Sequence, residues 1–357
     1  MDFENDEPEI SVVVPVYNGV KDGLKECLSS ILNQTYKNIE LIVINDYSGD
    51  QSEMVINSFC DLNGQLPITH IRHEVNQGIS STWNEGIKLS KGSYILLIQQ
   101  DCILQDRNAL SKAISIVRKF KIPVLSGAPN YNLSSLNKFQ TIFIIRTNKF
   151  IFPKSGLINI GLTENKCDII NREVFKTAGY FDENLKFAGE DFIFSSRVRK
   201  RDFRICFSAD FGYTNNLMGE NSLIKLLRKE FTYGKYLPAI YIEWRRNNFL
   251  KTVSSRIVTA KVMTRIKTII LPFVTILSLI LLPFMIFTHS FLYIMFLIGL
   301  FLIWGIINAI QVSIAKKTLG MIRINSFFGF YISYILDFSY SIGVLTGLFQ
   351  FLKNGRL

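Results

Sequence analysis

Residues 39–46 read Ile39-Glu40-Leu41-Ile42-Val43-Ile44-Asn45-Asp46, a short apolar run rich in Ile, Leu and Val that ends in an acid. Such a run marks a strand buried on both faces, as in a parallel sheet covered by helices. Two further stretches close on acids: Tyr94 to Asp101 (YILLIQQD), and the segment ending in Gly189-Glu190-Asp191. In open α/β sheets, ligands bind in the crevice beyond the carboxyl ends of the strands. Carboxylates there can meet a metal ion, a ribose hydroxyl or a reacting proton. The pattern therefore points to an enzyme and to the place of its site.

The flanking sequence supports the same architecture. Ile10 to Val16 (ISVVVPV) is a β-branched run of central-strand type, followed by a Tyr17-Asn18-Gly19 turn and helical spacing over Leu24 to Asn33. After Asp46 come a polar loop to Asp50, a helical stretch Ser52 to Cys60 and a short strand Thr69 to Arg72. A helix then runs from Gly78 to Leu89, stopped by Lys91-Gly92, and Tyr94 to Ile98 forms the next strand. This β-α-β-α order with short links predicts an α/β fold with a mostly parallel sheet and helices on both faces. Neither G-x-G-x-x-G nor G-x-x-x-x-G-K-[ST] occurs. A nucleotide would need its phosphates held by other means, such as a metal ion bridged by carboxylates.

Charge divides the chain. Of 40 Lys+Arg and 29 Asp+Glu, residues 1–243 hold 28 of each, and residues 244–357 hold 12 basic residues and a single acid, Asp337. The net charge of +11 thus sits in the C-terminal third. A nucleic-acid protein would spread basic residues over its folded domain. Here they flank apolar runs, as beside membranes. Ile269 to Thr288 and Phe291 to Ile314 carry no charge and are long enough for a hydrocarbon core of roughly 30 Å. Phe327 to Leu352 is interrupted by Gly329, Asp337, Gly343 and Gly347, so it either spans or turns back. Lys and Arg flanks predict a cytoplasmic N-terminal domain and a plasma-membrane, multi-pass arrangement with two or three spans. Residues 249–268, with five basic residues among apolar ones, read as an amphipathic helix on an anionic surface. The acidic start MDFENDEPEI carries no signal-peptide pattern.

The five cysteines are scattered without C-x-x-C spacing and read as reduced thiols. None of the three histidines is well placed for chemistry, and His70 and His73 read as ordinary surface or strand residues. Asp50 is read equally as a helix cap or a ligand.

Several motifs now stand in order: Ser11 to Asn18 (SVVVPVYN), Ile42 to Asp50 (IVINDYSGD), Asn76-Gln77-Gly78 and Gln99-Gln100-Asp101. Beyond them lie Asn171 to Phe175 (NREVF), Gly179 to Glu183 (GYFDE) and Gly189-Glu190-Asp191. Over about residues 9–215 this set resembles the family 2 inverting glycosyltransferases of the GT-A fold. The resemblance implies a nucleotide-sugar donor and one in-line displacement at the anomeric carbon. It implies that Pro15, Tyr17, Asn18, Asp46, Ser48, Asn76, Gly78, Gln99 and Gln100 line the donor pocket. Asp101 matches the last acid of a D-x-D motif that holds Mg2+ or Mn2+ on the diphosphate. The first acid is replaced by Gln99, which brings no charge. Asp191 matches the base that takes the acceptor proton, with Glu190 beside it as orienter or acceptor contact. Where relatives carry a metal-contacting His, this chain has Tyr213 or Asn215, leaving metal dependence open. Arg197 is a candidate for the diphosphate.

The expected organisation is a polar tail over 1–8, a glycosyltransferase domain over 9–243, a juxtamembrane helix over 244–268, a membrane region over 269–352 and a tail over 353–357. Lys225 and Lys229 stand where a Q-x-x-R-W motif would have Gln and Trp, which favours one addition per binding event over processive synthesis. The expected acceptor is a lipid-linked glycan or glycolipid on the cytoplasmic face. Two other readings are a polyprenyl-phosphate monoglycosyltransferase and a non-catalytic membrane scaffold.

Overall fold

The computed structural model describes residues 9–147, 156–185, 188–246, 291–319 and 326–354. They fall into two compact units: one takes the described residues up to 132, between 153 and 218 and from 240 to 246, the other those between 133 and 152, between 219 and 239 and from 291 onward.

The first unit is built on a mixed sheet. Strands β1 (Ile10–Val16), β2 (Ile39–Asn45), β3 (Ile68–Arg72) and β4 (Tyr94–Ile98) are mutually parallel in the order β3-β2-β1-β4. Helices α1 (Leu24–Leu32), α2 (Ser52–Leu62) and α3 (Ile79–Leu89) connect them. Every residue of β1 and β2 is buried, the outcome expected for continuous apolar runs covered on both faces. The expected strands and helices up to Ile98 are thus all present.

The second half of the sheet changes direction. A short β5 (Cys102–Ile103), helix α4 (Ala109–Phe120) and β6 (Val124–Asn130) follow. After β7 (Leu157–Asn159), strand β8 (Cys167–Asn171) inserts between β4 and β6, antiparallel to both. Helices α6 (Arg172–Ala178) and α7 (Glu190–Lys200) lead to β9 (Ile205–Asn215), which pairs in parallel with β6 and antiparallel with β5 and β7. The insertion of β8 sets Ile98 opposite Cys167 and so brings the residues beyond β4 beside those that precede β8.

The second unit contains α5 (Lys138–Arg146), most of α8 (Leu223–Arg246), α9 (Phe291–Leu319) and α10 (Ser326–Asn354). On the last two helices polar residues are buried while many apolar ones are exposed. On α9, Asn308 is buried while Leu302, Ile306 and Ile310 are exposed. On α10, Ser333, Asp337 and Ser341 are buried while Ile342, Phe349 and Leu352 are exposed. Asp337 accepts from Trp304 Nε1 at 2.7 Å and pairs with Arg146 Nη1 at 2.7 Å. Arg146 in turn approaches Glu230 at 3.4 Å. The acid that interrupts the third apolar segment is therefore the centre of a buried polar cluster.

That segment is one unbroken helix. Its glycines serve close packing: a Cβ at Gly343 would lie 2.1 Å from Phe231 O, and one at Gly347 would lie 2.0 Å from Lys235 O. Helices approach this closely only through small residues. Among the described residues one stretch, Tyr331–Lys353, is long and apolar enough to cross a membrane, and Leu302–Ala315 is a shorter apolar stretch. One such helix does not support the expected multi-pass arrangement. The expected first span over 269–288 and nearly all of the expected juxtamembrane helix lie outside the described residues.

Candidate active site

The loops beyond β1 and β2 are laced together by side chains. Asn18 N donates to Ser48 Oγ at 2.9 Å, Gly49 N to Asn18 Oδ1 at 2.8 Å, and Gly19 N to Ser52 Oγ at 2.8 Å. Asn18 and Tyr47 both take left-handed backbone, with φ of 51° and 64°. Asp50 holds this loop by accepting from Ser52 N and Val20 N. Pro15 sits in the β1–β2 register opposite Ile44. Tyr17 and Tyr47, just beyond neighbouring strands, are about half exposed. The sequence reading included Tyr17 and passed over Tyr47.

Gln100 closes the same edge from β4. Its Oε1 accepts from Tyr17 N at 2.8 Å, and its Nε2 donates to Tyr17 O and to Asp22 Oδ2. As placed, it positions the turn after β1. Gln99 is tied through its backbone: its N donates to Lys166 O at 3.0 Å.

Asp46 is only 4% exposed. Its Oδ1 accepts from Gln77 N at 2.8 Å, its Oδ2 from Gly78 N at 2.9 Å, and its backbone O from Asn76 Nδ2. The carboxylate therefore shapes the Asn76–Gly78 turn that opens α3, and Gly78 supplies the left-handed φ of 89° that the turn needs. Charge-assisted bonds to backbone N–H groups contribute about 1.5–3 kcal/mol each.

His73 corrects the sequence reading, which set it among ordinary surface or strand residues. It is buried, with Nδ1 2.7 Å from Asp46 Oδ1 and Nε2 2.6 Å from Glu85 Oε2. Burial opposes its charge, but the hydrogen bonds to Asp46 and Glu85 outweigh it and raise its pKa above the usual histidine value. The signal that could have found it is spacing: His73 lies three residues before Asn76, in the turn that Asp46 organises.

Beyond β4, Asp101 carries an ammonium. Lys166 Nζ lies 2.8 Å from its Oδ2 and 3.1 Å from its Oδ1, and Asn215 Nδ2 donates to Oδ2 at 3.0 Å. Tyr213 is instead buried in the core. Among the described residues, no group of three His, Cys, Asp or Glu side chains is arranged to share an ion. A unit charge 4 Å from another at an effective dielectric of about 20 interacts by about 4 kcal/mol, so a divalent ion and this ammonium oppose each other strongly on one carboxylate. Gln99 and Asn215 add no charge. The residues as placed fit a tightly held divalent ion poorly.

At the start of α7, Glu190 is buried and Asp191 is half-buried, its Oδ1 accepting from Phe192 N at 2.8 Å. Acids in the first turn are favoured by the helix dipole. Burial first, and then the charge of Asp191, hold Glu190 well above the ordinary carboxylate range. Burial and the neighbouring carboxyl thus disfavour a charge on Glu190, and Asp191 is the more open of the two acids. Nearby, Asp168 is pushed up to about 7 by burial, partly offset by a hydrogen bond with Ser126. The segment before β8 braces this helix: Thr163 N donates to Ser195 Oγ at 2.9 Å, and Thr163 Oγ1 to Asn165 Oδ1 at 3.1 Å. Arg197 stands apart from the acids, donating to Tyr180 O and lining an open pocket of about 450 Å³ with Lys88 and Asp182.

The family model described as glycosyl transferase family 2 matches residues 11–179. This domain belongs to that family. An uncharacterized glycosyltransferase of Rickettsia typhi is 31% identical over 184 residues, which is 50% of this chain and 55% of that protein. The glycosyltransferase GlyG of Streptococcus pneumoniae is 34% identical over 128 residues, 36% of this chain and 42% of that one. The chain spans about half the length, or less, of these curated relatives. Among solved structures, the mannosyltransferase PcManGT from Pyrobaculum calidifontis aligns with a TM-score of 0.62 at 12% identity, over 96% of this chain and 88% of that one. The glycosyl transferase family 2 domain therefore carries the expected GT-A fold, followed by apolar helices.

Proposed function

We propose that this protein transfers a sugar from a nucleotide-sugar donor to a lipid-linked glycan or glycolipid at the cytoplasmic face of a membrane. The observation that carries the reading is the Glu190–Asp191 pair at the head of α7, in the same unit as the laced loops beyond β1 and β2. The named relatives are glycosyltransferases, and PcManGT is captured with GDP-Man and Mn2+, which supports a nucleoside diphosphate sugar as donor.

In this reading Tyr17 and Tyr47 flank the base, and the loop of Asn76 and Gly78, held by Asp46, borders the nucleotide. The acceptor hydroxyl oxygen attacks the anomeric carbon as the bond to the diphosphate oxygen breaks, and that oxygen takes the electron pair. Asp191 accepts the hydroxyl proton, a contribution of about 10²–10⁴-fold for a placed general base. Protonated Glu190 keeps the second negative charge out of the pair. The displacement is single and inverts the anomeric centre. Asp101 is the residue that would hold Mg2+ or Mn2+ to neutralise the diphosphate, and the ammonium of Lys166 on the same carboxylate opposes that. The inverted polarity of α9 and α10, with buried polar and exposed apolar residues, supports a lipid environment.

The test is a thermal-shift screen of the detergent-solubilised chain against UDP, GDP, CDP and dTDP sugars, followed by transfer of radiolabel to extracted lipid. The expected result is stabilisation by one nucleotide class and label in the lipid fraction. Absence of stabilisation by all four would reject the reading and favour a scaffold.

A further inference from the structure

We propose that Lys166 is the cation that receives the leaving nucleoside diphosphate, in the role that a divalent ion would otherwise fill. The inference rests on the donor reading above and names the group that acts at its leaving end.

Three observations converge on this side chain. The antiparallel pairing of β4 with β8 ends at Ile98 opposite Cys167, and Gln99 N donates to Lys166 O. The backbone of Lys166 is thereby fixed to the carboxyl end of a central strand, the edge at which ligands of such sheets bind. Its ammonium contacts both oxygens of Asp101 while remaining about one-fifth exposed. The pair is thus partly open and not sealed in the core. Finally, the ammonium is near enough to Glu190 for its charge to favour that carboxylate slightly. A diphosphate whose bond to the sugar breaks develops negative charge at its leaving oxygen, which a nearby ammonium stabilises.

The surroundings remove the usual alternative. The acid expected at position 99 is an amide, the residue on the far side of Asp101 is Asn215, and the remaining carboxylate is already neutralised. Asp101 and Asn215 then serve to aim the lysine. As the bond between the anomeric carbon and the diphosphate oxygen breaks, the electron pair goes to that oxygen. Lys166 remains an ammonium and donates to the phosphate. No co-reactant is needed.

The experiment is titration calorimetry of the detergent-solubilised chain with the nucleoside diphosphate found in the donor screen and with its monophosphate, in EDTA and in Mn2+. The expected result is diphosphate binding that persists in EDTA. Lys166→Met weakens the diphosphate by about 10–100-fold, the worth of one charge-assisted hydrogen bond. The monophosphate is little changed, a split that a merely structural defect would not produce. Lys166→Arg keeps part of the affinity. Asp101→Asn, which frees the ammonium from its counter-ion, tightens the diphosphate, whereas loss of a metal ligand would weaken it. Binding that requires Mn2+, together with loss in Asp101→Asn and none in Lys166→Met, overturns the proposal and leaves the donor reading intact. Wild-type failure to bind any diphosphate in either buffer overturns both.

Discussion

Asp46, just beyond β2, and Asp191, in the first turn of α7, are acids of the same unit, yet their surroundings differ. Asp46 is nearly inaccessible, and its two oxygens hold Gln77 N, Gly78 N and His73. Asp191 is half-buried at the head of a helix, beside a buried carboxyl whose pKa burial raises. The difference teaches how to sort acids at a sheet edge. A carboxylate with its lone pairs filled by backbone donors builds the pocket, and one left ionised and partly open can do chemistry.

The comparison breaks most visibly at Asp46. Asp46→Ala strands two backbone donors and an imidazole, a loss of about 3 kcal/mol or more at about 1–3 kcal/mol per unsatisfied group. The melting temperature should fall by roughly 6–12 °C, at about 2–4 °C per kcal/mol for a domain of this size. Nucleotide affinity should fall with it. A stable variant with full affinity would make Asp46 dispensable to the turn.

Glu190→Gln sharpens the other side. The wild-type pair gains a second negative charge as pH rises through the raised Glu190 pKa, so transfer should decline at alkaline pH. The amide is neutral throughout, so the variant should keep activity near neutrality within several-fold and lose the alkaline decline. A pH–rate profile on both proteins reads this, and an unchanged profile would separate Glu190 from the base.

The smallest effect belongs to His73. Its folded pKa is raised above the unfolded value, so its contribution is fully present below about pH 6.5 and is lost as pH rises through the folded pKa. His73→Gln should lower the melting temperature by a few degrees at pH 6 and by less at pH 9. Equal shifts at both values would mean that the ring acts by packing alone.

Much of this was legible in the sequence where contacts are local. The runs at 10–16, 39–45 and 94–98 are strands because continuous Ile, Leu and Val can be satisfied only between two covered faces. Asp46 and Asp101 at the ends of the last two followed from that assignment. What escaped was long-range. His73 reaches Asp46 and Glu85 only because β3 lies beside β2 and α3 packs above them. Lys166 meets Asp101, 65 positions earlier, only through the antiparallel insertion of β8. Asp337 looked like a flaw in an apolar segment because its partner, Arg146, lies in a distant helix. Periodicity reports which face a residue occupies, and it carries no record of which strand arrives next to it.

The central claim is that Asp191 removes the acceptor proton while Asp46 only shapes the donor pocket. One preparation of Asp191→Asn, assayed for sugar transfer and for nucleotide binding side by side, tests it most directly. The account predicts transfer reduced by about 10²–10⁴-fold with nucleotide affinity unchanged within about two-fold. Retained transfer, or transfer and binding lost in equal measure, would contradict it.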